Sequence, residues 1–298
     1  DANGNISWPQ YRAASRTNPI GPTNVRHPQT RAAPMTTKNS LDHLASSFAT
    51  VRAAPPAHQF AEEEQCMQYL APPLLPDELS PNDSVSAFDV RSAVGRLNLS
   101  SQAGPDQIPA ALLAHAPTSF YDALAALFTR SLKCSCVPTQ WRVSHIVALH
   151  KSGSHAEATN WRGISLTSVI ARLLEHVLLP RLEAIVGPTI SLNQAGFQRE
   201  RNILEHAFSL HQAAAEALRY NLRLPVAFLD LKAAFDTVPH DSLLLKLRRR
   251  GVSRPLLRWI AAFLRDRRSR VAYNGVESDW FDTARGCLKA ASLLHCSF

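Results

Sequence analysis

The sequence has 298 residues, of which 45% are hydrophobic, enough for about two domains with a buried core. Its five cysteines (Cys66, Cys134, Cys136, Cys287 and Cys296) are odd in number and irregularly spaced, and no hydrophobic leader precedes them, which excludes a secreted disulfide framework and indicates an intracellular protein, in the nucleus or the cytoplasm. No apolar run approaches the roughly 20 residues that a membrane-spanning helix needs.

The positive charge is concentrated in one window. Residues 241–270 hold ten lysines and arginines against two aspartates, a net charge of +8 that equals the net charge of the whole chain. Clustered guanidinium groups attract polyphosphate through charge and bidentate hydrogen bonds, so nucleic acid is the leading partner class. A solvated helix face is the alternative.

The first 83 residues are predicted to be a linker. They are rich in proline and largely without an apolar period, so we expect most of this segment to be disordered. A weak helical pattern follows Ser40. A compact domain is expected to begin near residue 84.

Six helices and two strands are predicted beyond residue 84. Apolar residues recur at helical spacing over about 84–97, 119–133, 168–186, 203–219, 242–250 and 255–264. Alternation over 143–150 indicates a half-buried strand, and the apolar run 224–231 indicates a buried one. Asn274-Gly275 is typical of a hairpin turn. The predicted class is α/β.

Asp230 stands where the predicted buried strand ends. A carboxylate held rigidly there can contribute to a Mg²⁺ site, although many α/β proteins place an aspartate at this position, including phosphatases that use it as a nucleophile. The phosphatase motif has a second aspartate two residues later, where this sequence has Lys232.

The string FLDLKAAFDTVPH (residues 228–240) resembles the first palm motif of reverse transcriptases of non-LTR (LINE-like) retroelements. The resemblance implies that Asp230 is catalytic and binds Mg²⁺, that Leu231 lines the nucleotide site, and that Phe235 is a steric gate against a ribose 2′-hydroxyl. Ordinary core packing is the alternative for Phe235. Asp236 and His240 match positions that support the palm.

The resemblance extends upstream. SQAGPDQIPAALL and WRVSHIVALHKSGSHAEATNWRGISLTSVIARLLE resemble the segments that form the fingers of these enzymes. By that resemblance Lys151 and Arg162 bind the incoming triphosphate, a charge-neutralising task that suits phosphoryl transfer. Exposed loop charge is the alternative. Trp161 and Gly163 depart from the family's tyrosine and proline.

Two further segments match less well. In NQAGFQ, Gln198 stands where the family has arginine, which leaves Arg201 as a nearby contact for nucleic acid. In ARGCLKAASLLHCSF, Lys289 replaces a glutamine that places template and nucleotide, and Ala290 replaces a glycine. Nucleic-acid contacts are therefore expected from Arg201, Arg248, Arg249, Arg250 and Lys289.

The resemblance implies a right-handed polymerase, with fingers at about 84–222 and a partial palm at 223–298. Such an enzyme adds dNTPs to a DNA primer on an RNA template with Mg²⁺. The family's aromatic-Ala-Asp-Asp motif is not among the 298 residues, so a truncated fragment with little or no activity is expected. Two alternatives stay open: a non-catalytic RNA- or DNA-binding remnant in which Trp259, Phe263 and Tyr273 stack on bases, and a chain that does not fold stably.

Overall fold

The computed structural model describes residues 37–54, 61–70, 84–198, 200–231, 233–273 and 275–286. Its helices are α1 (Thr37–Arg52), α2 (Ala61–Tyr69), α3 (Ala87–Arg96), α4 (Ala110–Ala114), α5 (Thr118–Cys134), α6 (Thr139–Arg142), α7 (Val169–Val186), α8 (Ile203–Arg219), α9 (His240–Arg249) and α10 (Arg254–Leu264). Its strands are β1 (Val143–His150), β2 (Trp161–Thr167), β3 (Arg267–Tyr273), β4 (Val276–Glu277) and β5 (Phe281–Thr283).

The strands form one mixed sheet. Its order is β2-β1-β3-β4, and β5 also pairs with β3. The β1–β2 pair is an antiparallel hairpin that runs from Ser144 opposite Thr167 to His150 opposite Trp161. Strands β1 and β3 are parallel, whereas β4 and β5 are antiparallel to β3. The predicted α/β class is confirmed.

Most predicted elements are confirmed, and their boundaries follow local capping. Ser86 and Asp89 form a capping box at the start of α3, and Asn202 and Glu205 form one at the start of α8. The hairpin predicted at Asn274-Gly275 joins β3 to β4, although residue 274 itself lies outside the described residues.

The larger core lies among α3, α5, α7, α9 and α10. Trp259 and Phe263 of α10 stack on each other inside it, and the Trp259 indole N–H donates to Ser131 Oγ at 2.9 Å. The prediction that these two rings stack on bases is wrong, because they are 0% and 1% exposed. Helical spacing turns both towards the core. Tyr273 is half-buried on β3.

Helix α1 packs against the sheet. Leu41 and Leu44 are completely buried against Ile146 of β1 and Val271 of β3 in a second, smaller core. The structure therefore differs from the predicted linker, which placed residues 37–54 outside the compact body. Residues 61–70 also differ from that prediction, because they contain α2 and bury Cys66 and Leu70 in the larger core. The rest of the predicted linker, residues 1–36, 55–60 and 71–83, lies outside the described residues.

The C-terminus of α1 forms a buried ion pair. Arg52 donates from Nη2 and Nε to Asp236 Oδ1, at 2.8 and 3.2 Å, and its side chain is 6% exposed. The Arg52 carbonyl also accepts the backbone N–H groups of Ala284 and Arg285. One residue thus joins α1 to the segment after Asp230 and to the Arg285-Gly286 segment.

The prediction of a buried strand at 224–231 is wrong. These residues pair with no described strand, and Phe228 and Leu229 are 84% and 94% exposed. The apolar residues on α8 before them are exposed as well. The backbone groups of a buried strand must bind neighbouring strands, and none of the described strands pairs with these residues.

Glu175 of α7 is fully buried, and neither carboxyl oxygen has a hydrogen-bond partner among the described residues. Burial raises the pKa of Glu175 to about 8, although the Arg267 and Arg172 guanidinium groups oppose the rise. Burial likewise lowers the pKa of Arg267 to about 10. The raised pKa favours the protonated carboxyl of Glu175 in the folded protein.

This burial predicts a pH-dependent stability. The folded-state pKa is the higher one, so the contribution of Glu175 is fully present below about pH 4.5 and is lost as the pH rises to about 8. The loss is on the order of 4 to 5 kcal/mol. In urea unfolding, Glu175→Gln should remove this part of the decline in the free energy of unfolding between pH 5 and pH 8. The exposed Glu216→Gln should follow the wild type, and an unchanged slope in Glu175→Gln would contradict the assignment.

Breaking the Arg52–Asp236 pair is predicted to destabilise the fold. Arg52→Gln should lower the free energy of unfolding by about 3 to 5 kcal/mol, because it leaves the Asp236 carboxylate poorly paired in a largely buried site. Chemical denaturation measures the change. Arg91→Gln, on the exposed side of α3, should cost well under 1 kcal/mol. Equal effects of the two substitutions would show that the ion pair contributes little.

Candidate active site

Lys151 and Arg162 lie at the tip of the β1–β2 hairpin. The Lys151 N–H donates to the Asn160 carbonyl at 2.8 Å, which extends the ladder one pair beyond His150 opposite Trp161. Strand alternation then places the Lys151 and Arg162 side chains on the same face, as diagonal neighbours. Both are exposed, and neither forms a side-chain hydrogen bond or ion pair with a described residue.

The glycine that replaces the family's proline is required here by close packing. A Cβ at Gly163 would lie 2.8 Å from Ile146 Cγ2 and 3.5 Å from the Phe48 ring of α1. A side chain at this position would therefore crowd Ile146 on the paired strand, whereas the Phe48 ring lies at an ordinary contact distance. The neighbouring Arg162 is exposed.

The Gly104-Pro105-Asp106 segment supports the hairpin from its other end. A Cβ at Gly104 would lie 2.0 Å from the Thr167 carbonyl oxygen, so only glycine permits this approach. Asp106 accepts the Val169 N–H at 2.8 Å and caps α7 directly after β2. The part of the chain that resembles the family's GPD motif thus fixes the junction between β2 and α7.

Phe235 contacts the upstream NQAGF segment. Its ring lies edge-on to Phe197, with 5.5 Å between the ring centroids. Phe197 has a positive φ of 59° and remains 59% exposed. The structure therefore brings together two motifs that are 38 positions apart, and Phe235 is half-buried rather than enclosed in a core.

Asp230 and Leu231 lie in the exposed segment before this contact. Among the described residues no three histidine, cysteine, aspartate or glutamate side chains lie close enough to hold a metal ion. Reverse transcriptases in general use divalent metal ions, and Asp230 supplies one carboxylate of the kind such ions prefer. The described residues do not assemble a complete metal site around it.

The segment after Phe235 is fixed by backbone contacts. The Gly286 N–H donates to the Val238 carbonyl at 2.8 Å, and His240 Nε2 lies 3.1 Å from the Gly286 carbonyl. Burial lowers the pKa of His240, a shift that the Gly286 carbonyl opposes. Gly286 has a φ of 95°, and a Cβ there would lie 2.8 Å from the Asp236 carbonyl oxygen. Asp236 and His240 are thus structural residues.

Several of the residues expected to contact nucleic acid already contact other residues of this chain. Arg201 donates to Glu205 Oε2 at 2.6 Å and to the Leu192 carbonyl at 2.8 Å. Arg249 pairs with Glu62 of α2, and Arg248 lies 4.4 Å from the centroid of the Tyr69 ring. Lys289 lies outside the described residues, and Arg250 is half-buried.

Sequence patterns did not identify Arg52, Gly104, Asp106 or Tyr69. Gly104 and Asp106 carried a signal, because the turn-rich GPD string combines a glycine for close approach with a capping aspartate. Arg52 and Tyr69 carried none, since both lie in the segment predicted to be a linker. Their partners, Asp236 and Arg248, are 184 and 179 positions away.

None of the described helices is both long and apolar enough to span a bilayer. Residues 149–288 match the family described as reverse transcriptase (RNA-dependent DNA polymerase). This range contains the hairpin tip and the Asp230–Phe235 segment.

Curated retroelement proteins are similar over a longer stretch. The chain is 28% identical to a probable RNA-directed DNA polymerase from transposon BS of Drosophila melanogaster, over 72% of this chain and 24% of that protein. It is 27% identical to the RNA-directed DNA polymerase from mobile element jockey of the same organism, over 77% of this chain and 25% of that protein.

A third relative is the retrovirus-related Pol polyprotein from the type-1 retrotransposable element R2 of Popillia japonica. It is 32% identical over 44% of this chain and 18% of its own length. The chain thus spans about a quarter or less of the length of these three relatives. Residues 149–288, just under half of the chain, thus resemble a reverse transcriptase domain, and the three similar proteins come from transposable or mobile elements.

Proposed function

We propose that this domain forms the fingers and the first palm motif of an RNA-directed DNA polymerase that binds dNTPs at the hairpin tip. The observation that supports this is the pair Lys151 and Arg162, two exposed cations on one face with no acidic partner among the described residues. Two exposed cations on one face, free of acidic partners, attract an anionic ligand and are available to bind it.

Each residue has a role suited to phosphoryl transfer. Lys151 and Arg162 neutralise the triphosphate, and an arginine can bind phosphate oxygens in a bidentate manner. Phe235, which contacts Phe197, is the proposed steric gate against a 2′-hydroxyl, and Leu231 is the proposed lining of the nucleotide site. Asp230 is the proposed Mg²⁺ ligand. The RNA template and DNA primer bind through basic residues, including Arg201 and Lys289.

A second candidate function, nucleic-acid binding without catalysis, is supported by the exposed arginines of α9. Arg248 and Arg249 project from the C-terminal turn of this helix. Glu62 and Tyr69 of α2 already contact them, so a polyanion bound here displaces or adds to those contacts. Arg254 joins the same cluster through the Tyr69 carbonyl, to which its Nε donates at 3.1 Å.

Triphosphate binding tests the first proposal. Lys151→Gln and Arg162→Gln should each weaken the binding of dATP to the purified chain about tenfold, because each removes a charge-assisted phosphate contact of about 1.5 kcal/mol. Isothermal titration calorimetry measures this. Lys133→Gln removes an equally exposed charge at the end of α5 and should leave the affinity unchanged. Equal affinities for all four proteins would contradict the assignment.

The salt dependence of RNA binding tests the second candidate function, nucleic-acid binding without catalysis. RNA binding by the wild type should weaken steeply between 50 and 200 mM salt, roughly a thousandfold if about six phosphates are contacted. Neutralising Arg248 and Arg249 together should lower the salt slope by about 1 to 2, whereas neutralising the exposed Arg91 and Arg130 should not. Fluorescence anisotropy with a short single-stranded RNA gives the slopes. Binding that is independent of salt would exclude this surface.

A further inference from the structure

An aromatic cluster that the resemblance does not explain joins the loop between Lys151 and Asn160 to the ends of β1 and β2. His150 and His155 are stacked, with ring centroids 3.8 Å apart and an interplanar angle of 11°. The Trp161 ring meets both edge-on, at 5.2 Å from His150 and 5.8 Å from His155. This cluster, the His150–His155–Trp161 ring cluster, spans the whole loop.

Hydrogen bonds close the loop around the ring cluster. The Trp161 indole N–H donates to the His155 carbonyl at 3.1 Å, and Asn160 Nδ2 donates to the Ser154 carbonyl at 2.9 Å. Gly153 has a φ of 82°, and a Cβ there would lie 2.7 Å from Asn160 Nδ2. These contacts close the loop on itself.

The ring cluster and the two cations lie on opposite faces of the hairpin. His150 precedes Lys151 and Trp161 precedes Arg162, so alternation directs each ring away from the cation that follows it. Trp161 is buried in the smaller core, beneath α1. The three rings thus lie on the face of the hairpin towards α1, and Lys151 and Arg162 lie on the opposite face.

We propose that the His150–His155–Trp161 ring cluster is a positioning device that fixes the Lys151 and Arg162 backbones for binding a nucleoside triphosphate. This rests on the proposed function of those two cations. An ordered loop loses less conformational entropy on binding. The ring cluster therefore raises the affinity for the triphosphate without contacting it. His150 and His155 are thus positioning residues.

The stack itself can be tested without any nucleotide, because trypsin cleaves after Lys151. His155→Ala removes the stacked ring and should accelerate cleavage after Lys151 about threefold to tenfold, the range expected from an aromatic pair. His155→Phe keeps a stacking ring and should be cleaved at the wild-type rate. His211→Ala, on the exposed face of α8, is the matched control.

Titration of dATP into the same four proteins tests positioning. His155→Ala should weaken binding about threefold to tenfold, and His155→Phe should restore it. If His155→Ala accelerates cleavage but binds dATP as the wild type does, while Lys151→Gln binds weakly, the positioning role is wrong and the proposed function stands.

If the wild type binds no dATP, both the positioning role and the proposed triphosphate site are wrong. If His155→Ala changes neither cleavage nor affinity, the ring cluster does not order the loop, and the inference is overturned whatever Lys151 does. A thermal melt of each variant confirms that the fold is retained.

Discussion

The buried ion pair between Arg52 and Asp236 joins segments of the molecule that are far apart in sequence. Arg52 ends the helix that packs on the sheet, and Asp236 ends the segment that begins at Asp230. The same arginine accepts backbone hydrogen bonds from Ala284 and Arg285 through its carbonyl. A charge pair this deeply buried is costly to break from either side, so the three segments are held as one unit. The Phe235–Phe197 contact then sets the position of the upstream loop.

Much of the fold was predictable because its signals are local. Periodic apolar residues and capping side chains define α3, α7 and α8, and alternation with a turn defines β1. The run at 224–231 has the same local signal as a strand, yet it pairs with none of the described strands. A strand depends on partners that lie far away in sequence, and a local pattern cannot supply that information. The role of Arg52 could not be predicted either, because its partner Asp236 is 184 positions away in the sequence.

The proposed cation pair and the proposed carboxylate site differ in how far apart in sequence their residues lie. Lys151 and Arg162 belong to one hairpin, so pairing over fewer than 30 residues is enough to bring them together. The carboxylate half needs Asp230 beside other acidic side chains from distant segments, and the described residues contain no such cluster. The hairpin therefore already holds the two proposed triphosphate-binding cations together, whereas Asp230 lies in an exposed segment that pairs with none of the described strands.

The central claim is that this chain carries the nucleotide-binding half of a polymerase site and a single carboxylate of the catalytic half. Incorporation of labelled dNTP by purified residues 1–298, on an RNA template with a DNA primer and Mg²⁺, tests it most directly. The account predicts little or no extension, together with measurable dATP binding. Extension that Asp230→Ala abolishes would contradict it, because the carboxylate half would then be complete within these residues.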